Sequence, residues 1–169
     1  MKIAALAFAL AIVYGCPGCP AAEKPTATLA PVLGASDWIG ARVAPAALQG
    51  KVVVLDVFTV DCYNCRNTVP TLRTLYAQDR ARGFAIVGIH APETPPERQR
   101  AYVIASLKSQ GIVWPVAVDN AFKLWDAYGV SAWPTQLVFD RHGRLRETIV
   151  GDSQDGLVRS TVEQLLAER

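Results

Sequence analysis

The stretch "VVVLDVFTVDCYNCRNTVP" (residues 52–70) decides the fold. Its first seven residues form an almost continuous β-branched apolar run, the pattern of a strand covered on both faces. From Cys62 the period changes. Val69, Leu72, Leu75 and Tyr76 recur at spacings of three and four, with Arg66, Arg73 and Arg80 between them, which predicts an amphipathic helix ending at Gly83. Cys62 therefore stands where a buried strand gives way to a helix.

Working outward, "FAIVGIH" (84–90) predicts a second buried strand. "TPPE" (94–97) predicts a helix start, with Thr94 as N-cap, Pro95 in the first turn and Glu97 closing a capping box, and the helix runs to about Gln110. "VWPVAVD" (113–119) reads as a short strand, placed at an edge or irregular position by Pro115. A short helix follows, with Asp119 as its cap and Gly129 as its stop. "TQLVFD" and "RLRETIV" flank the turn "DRHG" as an antiparallel hairpin, and the last helix gathers Leu157, Val158, Thr161, Val162, Leu165 and Leu166 on one face. The order strand–helix, strand–helix, strand–helix, hairpin, helix predicts an α/β fold: a mixed central sheet flanked by helices.

The chain has 169 residues, 51% of them hydrophobic and 19% charged, which suits one soluble domain. Its net charge of +2 and lack of a Lys/Arg cluster exclude a nucleic-acid partner. The first residues differ from the rest. "MKIAALAFALAIVYGC" has one Lys and an apolar run from Ile3 to Tyr14, the size of a signal-peptide core. The expected organisation is a leader over 1–22, a Pro/Ala/Thr tether over 23–35 and a domain over 36–169. Val13-Tyr14-Gly15-Cys16 also resembles a bacterial lipoprotein cleavage box, making Cys16 a candidate for lipidation and membrane anchoring; the alternative is ordinary cleavage near Ala22.

The four cysteines form two CxxC pairs, Cys16/Cys19 and Cys62/Cys65. The separation of the pairs is far outside the spacing of zinc ribbons, and Arg66 stands where haem attachment would need a histidine. No metal is expected. His90 at a strand end and His142 in a turn have no partner at metal spacing; His90 could line a groove near the site.

A thiol at a helix N-terminus meets exposed N–H groups and the positive end of the helix dipole, which favour an anion there. Cys65, one turn further in, is more covered. Disulfide exchange needs this asymmetry: one exposed thiol attacks and a nearby second resolves the mixed disulfide. As a purely structural bridge so short a loop would contribute only about 2 kcal/mol. Asp56 is the second clue, a carboxylate inside an apolar strand. Buried beneath the cysteines it would have a raised pKa and could exchange a proton with Cys65; at a strand edge it would simply reach water. "SAWPT" (131–135) is the third, a proline before an apolar run, either a routine turn or a cis-proline beside a peptide-binding edge.

Asp56, Cys62-Tyr63-Asn64-Cys65, Pro70 and the distant Trp133-Pro134-Thr135 together resemble the thioredoxin superfamily. The material between 84 and 128 is similar to its exported TlpA/ResA-like branch. "GKVVVLDVFTVDCYNC", "IVGIHAPE", "WPVAVDN" and "WPTQLVFDRHGRLR" resemble the DipZ-type thioredoxin-like domain most, over roughly residues 36 to 168. The resemblance implies a thioredoxin-like fold with an extra strand–helix insertion and a redox-active disulfide, Cys62–Cys65, with no further cofactor. Cys62 would attack, Cys65 would resolve, Asp56 would be the buried acid, Pro70 the helix-kinking proline and Pro134 the cis-proline. Trp133, Tyr63 and Asn64 would contact substrate. Two departures stand out. Asp61 replaces the usual tryptophan and adds a negative charge that works against a thiolate, and Tyr63-Asn64 replaces Gly-Pro.

The function expected is an extracytoplasmic thiol-disulfide oxidoreductase acting on protein thiols and disulfides in the reducing direction, for example on exported proteins or in cytochrome c maturation. No NAD or flavin fingerprint is present, so a membrane protein is expected to supply electrons. The alternatives are a peroxide-reducing redoxin, for which Thr59 stands three before Cys62, and a non-catalytic binding module.

Overall fold

The computed structural model describes residues 27–168. The leader expected over 1–22, Cys16 and Cys19 within it, and the start of the tether lie outside those residues. The chain runs α1 (Ala30–Leu33), β1 (Trp38–Ile39), α2 (Pro45–Leu48), β2 (Val52–Phe58), α3 (Tyr63–Asp79), β3 (Phe84–His90), α4 (Arg100–Gln110), β4 (Val116–Val118), α5 (Lys123–Ala127), β5 (Thr135–Phe139), β6 (Leu145–Val150) and α6 (Asp155–Ala167). The strands form one six-stranded sheet in the order β1-β4-β3-β2-β5-β6. The neighbours β2, β3 and β4 run parallel, while β1, β5 and β6 each pair antiparallel, so the sheet is mixed as the sequence predicts.

Alternation along β2 explains why its apolar run is unbroken. Val53, Leu55 and Val57 face a core shared with Val32, Leu48 and Leu124 from α1, α2 and α5, and with Tyr128 just after α5. Val52, Val54 and Phe58 face the opposite core, filled by α3, α4 and α6 through Leu72, Leu75, Val103, Leu107, Val162 and Leu165. Each such side chain taken from water contributes about 1.5–3 kcal/mol, so both faces must be covered for the strand to sit centrally.

Four features differ from the sequence reading. The strand expected over 113–119 shortens to β4 and is not an edge, because the two residues of β1 pair outside it; Pro115 precedes the strand, and its carbonyl accepts the Gly88 N–H at 2.8 Å. The helix expected from Thr94 is broken. Pro96–Arg98 make one 3₁₀ turn, Gln99 is extended, and α4 begins at Arg100. Likewise the helix of 62–83 closes with a 3₁₀ turn, Arg80–Arg82, before Gly83 at φ 90°. Finally, packing reaches back into the stretch expected as a tether. Val32 is buried, and its N–H donates to the Tyr128 hydroxyl at 3.1 Å.

Candidate active site

Parallel strands leave their carboxyl ends on one rim of a sheet, where loops are free to carry chemistry. At that rim β2 ends at Phe58, paired with His90 at the end of β3. The three residues after β2 lead to Cys62, the N-cap of α3. The Cys62 sulfur is partly exposed and accepts the backbone N–H of Cys65 at 3.2 Å. This is the hydrogen bond a side-chain oxygen accepts at an ordinary helix start, accepted here by sulfur. Both cysteines are free thiols.

Cys65 is 3% exposed and packs into the core shared with Leu72 and Val54. Burial, then its hydrogen bond with Cys62, push its thiol far above the ordinary range; the Thr59 N–H pulls the other way, and the charges of Cys62 and Asp56 add to the rise. The two sulfurs thus differ in exposure, Cys62 partly open and Cys65 buried. Asp56 lies on the same face of β2 as Phe58, hence on the Cys65 side of the sheet. It is 2% exposed, so it does not reach water at a strand edge. Burial raises its pKa to about 6, against the pull of a hydrogen bond from Gln136 Nε2 at 3.0 Å.

The loop between β2 and Cys62 is held from below by Glu97. This carboxylate is fully buried and accepts the Thr59 hydroxyl, the Asp61 N–H at 3.0 Å, the Glu93 N–H at 3.0 Å, and the Thr94 N–H and hydroxyl at 2.6 and 2.9 Å. Burial works against its charge, but these bonds outweigh it and lower its pKa. Half of the expected capping box is present, in the Thr94 N–H bond. The other half, a bond from the Glu97 N–H to the Thr94 hydroxyl, is absent, and that hydroxyl donates to the Glu97 carboxylate instead.

Around the dithiol, Tyr63 and Asn64 are exposed, and Pro70 lies inside α3 on its surface. The Asp61 carboxylate is not bare: the Tyr102 hydroxyl donates to both its oxygens, at 2.8 and 3.0 Å. The Trp133–Pro134 peptide is cis. Pro134 immediately precedes β5, whose Thr135 pairs with Val57, so it lies where β2 runs toward the cysteines. Trp133 joins the loop after β3 to α5, donating from Nε1 to the Ala91 carbonyl at 3.1 Å and packing on Trp125 with ring centroids 4.5 Å apart.

His90 corrects the expectation of a groove-lining residue. It is wholly buried, its ring meets Phe58 edge-to-face, and neither ring nitrogen has a hydrogen-bond partner. Burial lowers its pKa to about 4 against the charges of Glu97 and Asp61. His142 sits in the β5–β6 turn, its N–H bonded to Asp140. Among the described residues no cluster of three or more His, Cys, Asp or Glu side chains could hold a metal.

Sequence reasoning missed Glu97 as part of the site, along with Gln136 and Tyr102. Gln136 carried the same signal as Asp56, a polar residue inside an apolar strand. Glu97 carried none, because its capping position explained it locally.

The parallel β2–β3–β4 unit, the antiparallel β5–β6 hairpin and the helix-capping dithiol define a thioredoxin-like protein. The redoxin family model matches residues 24–166, and the chain belongs to that family. It is 31% identical over 120 residues to Protein DipZ of Mycobacterium bovis, covering 71% of this chain and 17% of that protein. It therefore spans about a sixth of the length of DipZ. Against the thiol-disulfide oxidoreductase ResA of Bacillus anthracis it is 29% identical over 123 residues, covering 73% of this chain and 68% of ResA. The crystal structure of a thiol-disulfide isomerase from Corynebacterium glutamicum superposes with a TM-score of 0.73 at 25% identity, covering 80% of this chain and 94% of that one.

Proposed function

We propose that this redoxin is a thiol-disulfide oxidoreductase acting on protein disulfides, with Cys62 attacking and Cys65 resolving. The observation that carries the proposal is the asymmetry of the pair: a partly exposed sulfur capping α3, and a buried thiol one turn on, above a buried acid. In the reducing direction the Cys62 sulfur attacks one sulfur of a substrate disulfide, the substrate S–S bond breaks, its other sulfur leaves as a thiol, and a mixed disulfide forms. Cys65 gives its proton to Asp56 and attacks the Cys62 sulfur, releasing the substrate as a thiol. The protein is left oxidised at Cys62–Cys65, and a second dithiol must reduce it. We assign that role to a membrane electron donor, since the sequence has no nicotinamide or flavin fingerprint.

The apolar run Ile3–Tyr14 and the box ending at Cys16 support export, with lipid on Cys16 as the anchor. The names and activities of ResA and the Corynebacterium isomerase support thiol exchange as the chemistry. The peroxide-reducing alternative is weaker, because the hydroxyl of Thr59 is buried and committed to Glu97 instead of facing the attacking sulfur. Parallel assays test the proposal: reduction of a protein disulfide driven by a chemical dithiol, turnover of hydrogen peroxide, and the equilibrium with glutathione. Protein-disulfide reduction without peroxide turnover, at an equilibrium more reducing than glutathione, supports it. Peroxide turnover alone would replace it with the alternative, and a strongly oxidising equilibrium would reverse the direction of electron flow.

A further inference from the structure

Asp56 and Gln136 are register partners on β2 and β5, so their side chains leave the sheet on one face. That face is otherwise apolar, with Val138 and Ile149 nearby in the sheet. Gln136 is 1% exposed. Its Nε2 donates to Asp56 Oδ1 at 3.0 Å, while its Oε1 has no partner. A buried acceptor left unbonded is unfavourable, and an apolar side chain would fill the place without that cost. The amide therefore calls for a reason beyond packing.

A carboxamide is neutral and offers donors at one end and an acceptor at the other. Facing an ionised carboxylate it presents Nε2. Facing a protonated carboxyl it can turn over and accept the O–H with Oε1. The titratable groups facing Asp56 are the Cys65 thiol on α3 and, beyond it, Cys62. Its partner on β3, Gly88, brings no side chain, and the buried residues of α6 are Val158, Val162, Leu165 and Leu166. Gln136 is the polar neighbour that can answer both charge states of the acid.

We propose that Gln136 is the positioning residue of the buried acid, donating to Asp56 when it is ionised and accepting from it when it is protonated. This rests on the reading of Asp56 as the proton partner of Cys65. During resolution Cys65 loses its proton to Asp56 and its thiolate attacks the Cys62 sulfur of the mixed disulfide. The Cys62–Cys65 bond forms and the Cys62–substrate bond breaks. The substrate sulfur leaves with the electron pair and takes a proton from water. Two electrons pass from the dithiol to the substrate disulfide. Gln136 keeps both forms of Asp56 accessible in the pH range where this exchange runs.

The test is a carboxyl-carbon NMR titration of Asp56 in the reduced full chain, together with the pH dependence of mixed-disulfide resolution. Gln136→Met keeps the volume and removes the amide. Because the ionised form loses a hydrogen bond to a charged group and the protonated form only a neutral one, the Asp56 midpoint should rise by about half to one pH unit, the scale of the difference between the two bonds. The limb of the rate profile should rise with it, while alkylation of Cys62 in a single step stays unchanged. An unmoved midpoint would overturn the inference. A midpoint that moves while the rate limb stays would overturn Asp56 as the proton partner, and the positioning role with it. If Gln136→Met does not fold, the unaltered chain still decides: the Gln136 side-chain amide resonances should shift at the Asp56 midpoint, and flat resonances would overturn the inference.

Discussion

Glu97 Oε1 accepts the backbone N–H of Asp61, the residue before Cys62, at 3.0 Å. Through this bond the segment between β3 and α4 fixes the loop that presents Cys62. Glu97→Gln would set an amide N–H against donors that now meet a carboxylate. We expect it to destabilise the protein by about 1–3 kcal/mol at neutral pH in denaturant unfolding. The lowered pKa gives a second signature. A carboxylate depressed below its unfolded value stabilises above that value, near 4.5 here, and the contribution is lost as pH falls further. The gap in stability between parent and Glu97→Gln should therefore narrow below pH 4.5.

His90 should make the fold acid-sensitive. Its pKa falls from 6.5 to about 4 on folding, so the folded protein binds fewer protons between those values and stability drops as pH falls through them. The loss from this one group is up to about 3 kcal/mol. Because neither ring nitrogen has a partner, His90→Phe removes the penalty without stranding a neighbour. Unfolding of His90→Phe measured from pH 7 to 4 should have a shallower pH slope than that of the parent.

Asp61 opposes a negative charge on Cys62 from the preceding residue. Asp61→Asn should speed alkylation of Cys62 at low ionic strength by a few-fold, the effect of about 1 kcal/mol between exposed charges. The gain should shrink in high salt. Rates equal at all salt concentrations would mean that Tyr102 already screens the carboxylate.

Burial of Asp56 comes at a cost to stability. Its pKa rises from 3.8 to about 6 on folding, so the stability it allows is fully present below 3.8 and lost as pH rises through about 6. Asp56→Asn should be more stable than the parent at pH 7 by up to about 3 kcal/mol, and indistinguishable from it near pH 3.5. The same variant should slow mixed-disulfide resolution about 100-fold, the scale of lost proton transfer.

Much of this site was legible in the sequence because its parts break local rules. Asp56 is a carboxylate in an apolar strand, and Cys62 sits where a nearly continuous apolar run gives way to apolar spacings of three and four. Both carry their signal within a few residues. Glu97 does not, since two of its five hydrogen bonds reach back to Thr59 and Asp61 across a tertiary contact, while the other three, to Glu93 and Thr94, make it look like an ordinary helix cap. For the same reason β1 escaped notice: two residues carry no periodicity, and Trp38 and Ile39 become a strand only because β4 offers a free edge. Pro115 misled in the opposite direction, because it ends just short of the paired residues.

The most direct measurement of the central claim is covalent trapping with a disulfide-bonded protein substrate. Reduced Cys65→Ser should accumulate a mixed disulfide through Cys62 that a small dithiol releases, and Cys62→Ser should accumulate none. Equal capture by both variants, or capture by neither, would contradict the assignment of Cys62 as the attacking thiol and Cys65 as the resolving one.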